Sequence, residues 1–159
     1  MIAVWRAEVH EAEVVAGLIV DFRNHLGVDW PSDNAFLAGV EGLMEDRNTA
    51  FLLAAPNEDA PPSAVAQVRF RYGLWWAAED CLLEDLFVRE DARNSGVGRA
   101  LVQAVIDLAR ERGCRRVELD VNEANAPALK VYESFGFSAQ DDRYGKRNLL
   151  MRLRLEDRP

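Results

Sequence analysis

The sequence predicts an α/β fold in which helices cover the faces of one mixed β-sheet, with the element order βααβββαβαβ. Strand-like patterns dominate the first half, and single helices alternate with single strands in the second. The 159 residues are 49% hydrophobic and 29% charged, which is enough for one sizeable core. We therefore expect a single domain over residues 1–159.

The first half supplies most of the sheet and two helices. Ile2 to Glu8 alternates apolar and polar residues as a half-buried strand does, and the apolar residues of 14–22 recur at helical spacing. Ser32 follows a break at Gly27 to Pro31 and can cap a second amphipathic helix. Three more strands are predicted from apolar runs: 49–55, 64–72 and 81–88.

The second half predicts a crossover connection. An apolar stripe over 97–108 is typical of a helix ending at Gly113, and Arg116 to Val121 is typical of a short strand that would run parallel to 81–88. A further helix is expected over Ala126 to Phe135. The alternating run within Lys146 to Leu155 predicts a closing strand, whose apolar edge could support a homodimer.

The charge is uneven along the chain. The net charge is −8, with 13 acids against 5 Lys/Arg in residues 1–80 and 14 of each in residues 81–159. Either the acidic half is simply a solvated face, or it attracts a cationic substrate. The absence of a basic face speaks against nucleic acid as a partner.

Location and metal content can also be anticipated. No stretch approaches the ~20 apolar residues of a membrane span, and Met1 to Glu11 lacks a signal-peptide core, so we expect a cytoplasmic protein without a membrane partner. Cys81 and Cys114 are interpreted as reduced thiols, each opening a buried strand. His10 and His25 lack metal-ligand spacing and are expected on the solvated surface, although His25 could face a cleft; no metal is expected.

A predicted phosphate-binding turn lies between strand 81–88 and the following helix. It consists of Arg93, Asn94, Ser95, Gly96, Val97 and Gly98. Glycine lets the backbone approach an anion closely, the N–H groups of the first helical turn point towards it, and Arg93 and Arg99 add charged donors. A dinucleotide fold would need a third glycine where Leu101 stands and a tighter turn than the seven residues 89–95, and a P-loop would need Gly-Lys-Ser/Thr.

Three segments together resemble the GNAT acetyltransferases. They are Leu83-Glu84-Asp85-Leu86-Phe87-Val88, Arg93-x-x-Gly96-x-Gly98, and Asn125 through Tyr132 to Gly136-Phe137. The resemblance spans residues 81–137 closely and the first 80 only in the order of elements. It implies the acyl-CoA N-acyltransferase fold, in which a bulge in strand 81–88 splays it from Arg116 to Val121.

The resemblance also implies where acetyl-coenzyme A binds. Backbone N–H groups from Asn94 to Arg99 would hold the pyrophosphate, and the pantetheine would lie in the splay against Leu86, Phe87 and Val88, with Asn125 as a further hydrogen-bonding partner. Phe87 and Val88 can equally be core residues, and Asn125 is a good helix N-cap in any case.

Catalytic roles follow from the same resemblance. The N–H of Val88 would polarise the thioester carbonyl, and Tyr132 would protonate the departing thiolate in a direct attack through a tetrahedral intermediate. Glu84 would deprotonate the amine, directly or through water, because an alkylammonium has a pKa of ~10.4. Strict alternation puts Glu84 and Asp85 on opposite faces, so only one would line the cleft, unless a bulge changes the facing.

The acceptor amine is not identified by sequence. Asp29, Trp30, Tyr72 and Trp75 are candidate wall residues, since loops concentrate binding groups and tryptophan attracts cations, although each can instead pack on the core. The acidic half favours a small cationic amine such as a polyamine, aminoglycoside or amino acid. Two alternatives stay open: an acyl-CoA-binding regulatory module without turnover, and a protein N-terminal acetyltransferase.

Overall fold

The computed structural model describes residues 1–156, which form two compact units, Met1 to Leu119 and Asp120 onward. The first unit holds a five-stranded sheet and three helices. Its strands are β1 (Ala3–Arg6), β2 (Thr49–Ala55), β3 (Ala64–Gly73), β4 (Ala78–Val88) and β5 (Val117–Glu118). Its helices are α1 (Ala12–His25), α2 (Asp33–Glu45) and α3 (Val97–Glu111).

The sheet order is β1-β2-β3-β4-β5, antiparallel up to β4 and parallel between β4 and β5. The mixed sheet and the β4-α3-β5 crossover confirm the predicted fold class. Helices α1 and α2 cover one face, where the core includes Leu53, Val65 and Phe87. Helix α3 packs on the other face through a buried stripe that includes Leu101 and Val105. Burying each such side chain stabilises the fold by about 1.5–3 kcal/mol.

Local signals in the sequence explain several of these boundaries. The Ser32 side chain accepts a hydrogen bond from the Ala35 N–H at 3.2 Å, which confirms it as the cap of α2. Gly113, just after α3, has φ +82°, a left-handed conformation that glycine adopts without strain. Strand β2 is buried at every position, so its apolar run was informative.

The second unit contains helix α4 (Ala126–Ser134) and little other regular structure among its described residues. The prediction of a closing strand over Lys146 to Leu155 is wrong. Among the described residues of this run, only an isolated bridge forms, between Gln140 and Arg147. Alternation alone does not make a strand, since the backbone groups also need a neighbour. The apolar residues of this run are exposed: Leu149, Leu150, Met151, Leu153 and Leu155.

Two smaller expectations also need correction. Strand β5 is two residues long, shorter than the predicted Arg116 to Val121, because pairing to β4 ends at Glu118. Cys81 is fully buried within β4, but Cys114 is only partly buried and lies three residues before β5; both thiols are free. None of the helices within residues 1–156 is long and apolar enough to cross a bilayer.

Candidate active site

Strand β4 contains a β-bulge at Glu84. Its register with β3 pairs Leu83 with Val68 and Asp85 with Gln67, so Glu84 is the extra residue. The bulge puts Asp85 on the same face as Leu82, because both lie opposite odd-numbered residues of β3. The expectation that strict alternation separates Glu84 from Asp85 is therefore wrong.

Glu84 lies on the face that α1 and α2 partly cover. Its carboxylate forms an ion pair with the Arg69 guanidinium at 2.5 Å, and Arg69 shares a face with Val65 of the core. Both side chains are about half exposed, at 37% and 46%. Sequence reasoning missed Arg69, since an arginine that alternates with apolar residues indicates only an exposed strand face.

Beyond the bulge, β4 has an open edge. Its pairing with β5 ends at Leu82, so Leu86 to Val88 lack a strand neighbour on that side within the described chain. The Arg89 N–H donates to the Ser63 carbonyl on the β3 side at 2.9 Å. Because consecutive N–H groups of a strand point to opposite sides, the Val88 N–H points to the open edge.

The bulge changes which residues of β4 point their N–H groups towards the open edge. The Cys81 N–H donates towards β5, to the Arg116 carbonyl at 3.0 Å, so before the bulge the odd-numbered residues face that edge. After the extra residue Glu84, the even-numbered residues face it, including Leu86 and Val88. The splay and the bulge thus leave an edge to which an extended ligand can add hydrogen bonds, as a peptide does when it extends a sheet.

The turn after β4 has the geometry of an anion cradle. Asn94 and Gly96 have positive φ angles of +62° and +88°, and Gly96 is the N-cap of α3. The Ser95 hydroxyl donates to the Ala92 carbonyl and accepts from the Val97 N–H at 3.4 Å, which fixes the turn. The first-turn N–H groups of α3 have no intrahelical acceptors, and the helix dipole favours an anion there.

The two glycines of the cradle are close to neighbouring side chains. A Cβ at Gly98 would lie 3.4 Å from Val88 Cγ2, and one at Gly96 would lie 3.3 Å from Ile2 Cδ1. The α3 N-terminus therefore sits directly beside the end of β4. This arrangement fits a pyrophosphate at the cradle with a chain that continues along the open edge.

Arg93 does not point away from the strand. Its Nε donates to the Val88 carbonyl at 3.2 Å, and its Nη2 lies 3.4 Å from His25 Nε2. Arg93 therefore also fixes the end of β4, which sequence reasoning did not anticipate. Arg99, on the first turn of α3, is exposed.

An open pocket of ≈ 570 Å³ lies where α1 meets the end of β4. The Phe87 ring forms one wall and stands 6.1 Å from the His25 ring, centroid to centroid. Asp21 of α1 forms an ion pair with Arg89 at 2.8 Å across the same pocket. His25 thus lies in the pocket wall, and its position at the C-terminal end of α1 was the signal that the sequence offered.

The four candidate wall residues fall in two places. Asp29 and Trp30 lie in the α1–α2 loop, which follows His25. Tyr72 and Trp75 lie at the β3–β4 turn, at the opposite end of β4 from Val88, and Trp75 is 98% exposed. Since β4 has 11 residues, that turn is roughly 33 Å from Val88. The structure does not bring Tyr72 or Trp75 together with Val88.

The remaining candidates, Asn125 and Tyr132, belong to the second unit. The Asn125 side chain accepts from the Ala128 N–H at 3.3 Å, which confirms it as the N-cap of α4. Burial raises the pKa of Tyr132, whose ring stands edge-on to Phe137 at 5.8 Å. The Tyr132 hydroxyl therefore stays protonated at neutral pH.

The model of the acetyltransferase (GNAT) family matches residues 14–137, which include β4, the cradle and α4. The chain belongs to the GNAT acetyltransferase family. The described residues contain no cluster of three or more His, Cys or acidic side chains that could hold a metal ion.

Individual GNAT relatives differ in what they acetylate. The chain is 32% identical over 98 residues to a thialysine N-epsilon-acetyltransferase of Bos taurus, and the match covers 58% of this chain and 54% of that protein. It is 30% identical over 111 residues to an aminoglycoside N(6')-acetyltransferase type 1 of Salmonella typhimurium, covering 68% and 77%. Some curated relatives are thus matched over about half of their length.

The fold agrees with solved GNAT structures. One from Arthrobacter sp. FB24, assigned as an acetyltransferase, superposes with a TM-score of 0.84 at 28% identity and covers 96% of this chain and 94% of that one. The GNAT fold predicted from the sequence is therefore confirmed.

Proposed function

We propose that this protein is an acetyl-coenzyme A dependent N-acetyltransferase that acetylates a small primary amine carrying positive charge. The observation that supports it most is the open edge of β4 with the Val88 N–H, which lies between the cradle at Gly96 and the carboxylate of Glu84. Two of the relatives, a thialysine and an aminoglycoside acetyltransferase, also favour a small amine.

The cradle and the open edge would hold the cosubstrate. The N–H groups at the start of α3, from Asn94 to Arg99, would bind the pyrophosphate, and Leu86 to Val88 would hydrogen-bond the pantetheine along the edge. Asn125 would add a hydrogen bond to the pantetheine. Acetyl-coenzyme A supplies the activated acetyl group.

The Val88 N–H is positioned to stabilise charge. As an amine attacks the thioester carbonyl, its oxygen becomes negative, and a fixed N–H donor stabilises that oxygen more than the neutral carbonyl. The Arg93 bond to the Val88 carbonyl holds this strand end in place. Removing one such donor typically costs 10²–10³ in kcat in other enzymes.

Glu84 and Tyr132 would move the protons. Glu84, on the exposed part of the α1/α2 face, would accept the proton of the ammonium through water, and Asp85 on the same face adds negative potential. Tyr132 would donate to the departing thiolate. Burial raises the pKa of Tyr132, so its proton stays available, but transfer to a thiolate of pKa ~8.5 is more uphill than from an ordinary tyrosine, and a further hydrogen bond would have to assist.

A thiol-release assay tests the proposal. Acetyl-coenzyme A is offered with a panel of polyamines, aminoglycosides, amino acids and peptide N-termini, and we expect turnover with at least one small amine. Tyr132→Phe should lower kcat by about 10²-fold, with the affinity for coenzyme A unchanged. Thermal stabilisation by acetyl-coenzyme A without thiol release for any amine would contradict turnover and favour a binding module.

A further inference from the structure

The hairpin formed by β3 and β4 extends beyond the neighbouring strand β2. Pairing between β2 and β3 ends at Arg69, whereas pairing between β3 and β4 continues to Gly73. Among the described residues, positions 71–73 of β3 therefore have a strand neighbour on the β4 side only. A free strand edge presents unpaired backbone groups, to which another strand can add.

Tyr72 is the residue of this segment whose backbone groups face outward. The Phe70 N–H donates to the Asn48 carbonyl at 2.8 Å, on the β2 side. Consecutive residues of an antiparallel strand alternate in direction, so the N–H and C=O of Tyr72 also point to that side, where β2 no longer runs. One donor and one acceptor on the same residue make this edge self-complementary, because two copies related by a two-fold axis can exchange both bonds at Tyr72.

Large apolar side chains flank this edge. Tyr72 is 64% exposed, and the turn that follows it presents Leu74 at 86% and Trp75 at 98%. Trp76 is instead folded back, with its ring centroid 5.2 Å from the Arg116 guanidinium carbon. An aromatic side chain can bury about 150–250 Å², so two copies joined here would bury roughly 1,000 Å² in total. That area is at the lower limit of a specific protein interface.

The charges near the hairpin are balanced within one chain. Three ion pairs lie at this end of the sheet, with N···O distances of 2.8 to 3.0 Å: Arg71–Glu118, Arg112–Glu79 and Arg116–Asp80. The chain as a whole carries a net charge of −8, so two copies repel each other least where acids are paired in this way. An anionic lipid surface would need an excess of positive charge, which these pairs do not offer.

We propose that the β3–β4 hairpin is a dimerisation surface, and that its occupant is the same hairpin of a second copy of this chain. The two β3 segments would pair antiparallel about a two-fold axis at Tyr72, with both Tyr72 side chains on the same face of the joined sheet. Leu74 and Trp75 of each copy would lie beside the start of β2 in the other copy. The hairpin is at the opposite end of β4 from Val88, so the dimer leaves the open edge free.

Sedimentation of the full chain at rising concentration tests this surface. The wild type should pass from monomer to dimer with a dissociation constant in the micromolar range, since the buried area is small. Trp75→Ser should raise that constant by about tenfold or more, because it removes the most exposed aromatic side chain of the hairpin. Leu26→Ser is the matched control: Leu26 follows α1 and is 62% exposed, and its loss should leave dimerisation unchanged. Thermal unfolding of both variants checks that they are folded.

A cysteine at the two-fold axis tests the geometry. In a hydrogen-bonded antiparallel pair the opposed Cα atoms are ~5.5 Å apart, within the ~4.4–6.8 Å that a disulfide spans. Tyr72→Cys in a Cys114→Ser background should therefore form a covalent dimer on mild oxidation, while the buried Cys81 stays reduced. Leu26→Cys in the same background should stay monomeric under the same conditions.

Three outcomes would overturn the inference. The first is a wild type that stays monomeric at every concentration. The second is a dimer that Trp75→Ser leaves intact or that Tyr72→Cys does not cross-link; if Leu153→Ser dissociates it, the contact belongs to the exposed run 149–155 instead. The third is binding of the monomer to phosphatidylcholine vesicles that Trp75→Ser abolishes, which would assign the hairpin to a lipid surface. None of these measurements depends on turnover, so they stand apart from the proposed function.

Discussion

The two ends of β4 are built for different purposes. At the Ala78 end the strand pairs on both sides and ion pairs tie it to its neighbours: Glu79 to Arg112, and Asp80 to Arg116. At the Val88 end one edge is open, a bulge interrupts the ladder, and the α3 N-terminus lies alongside. The contrast shows how one strand can anchor the sheet at one end and offer its backbone to a ligand at the other.

Two glutamates of β4, Glu79 near the paired end and Glu84 at the bulge, give the sharpest test of this contrast. Glu84→Gln should lower kcat/KM by about 10²–10⁴, because it removes a proton acceptor, and leave stability almost unchanged. Glu79→Gln should do the reverse, lowering the free energy of unfolding by about 1 kcal/mol through the weaker bond to Arg112 while kcat/KM stays within threefold. Steady-state kinetics and thermal unfolding of both variants measure the difference; equal activities would remove Glu84 from the mechanism.

Arg116→Met should destabilise the anchored end. Asp80 is 3% exposed and its Oδ1 has no protein partner, so the Arg116 bond to Oδ2 is what compensates its burial. We expect a loss of about 1–3 kcal/mol in chemical denaturation, with the affinity for acetyl-coenzyme A unchanged. Adding Asp80→Asn should recover part of the loss. A variant as stable as the wild type would show that this ion pair does not anchor β5.

Alanine substitutions at two glycines with nearly the same φ angle separate backbone strain from an effect on coenzyme A binding. Gly96 in the cradle has φ +88° and Gly113 after α3 has φ +82°. Alanine at Gly113 should cost about 1 kcal/mol of stability, and alanine at Gly96 somewhat more, because its Cβ would also lie 3.3 Å from Ile2 Cδ1. Only Gly96→Ala should weaken coenzyme A binding, by about tenfold in calorimetry, because it distorts the anion-binding turn. Equal affinities of the two variants would argue against a phosphate at the cradle.

The smallest expected effect concerns the two thiols near the anchored end. Burial raises the pKa of Cys81 to about 12, whereas Cys114 is partly exposed. At pH 8 a disulfide reagent should modify Cys114 first, and Cys81 only after unfolding. The unfolded thiol ionises near pH 9, so the folded state loses stability as the pH rises from about 9 towards 12. Cys81→Ala should flatten that part of the stability curve.

The sequence predicted the elements whose signals are local. Strand β2 and the Ser32 cap were read from a buried apolar run and a polar residue before a helix, and both depend on nearby residues only. The family motifs located the cradle and β4 in the same way. The candidate catalytic roles of Glu84 and Tyr132 remain predictions.

What the sequence could not supply depends on partners distant in the chain. The bulge at Glu84 is defined by its register with β3, and the ion pair with Arg69 follows from that register. Strand β5 ends early because the sheet splays, and the run up to Leu155 alternates without a neighbour to pair with.

The bulge at Glu84 is an insertion that β4 could lose without a change of register. Leu83 and Asp85 lie opposite consecutive residues of β3, Val68 and Gln67, so deleting Glu84 would leave Phe87 on the core face and the Val88 N–H on the open edge. What the deletion would remove is the local bend of the strand, together with the Glu84 carboxylate. Comparing that deletion with Glu84→Ala therefore separates the two: if the bend keeps the edge of β4 open, only the deletion should weaken coenzyme A binding.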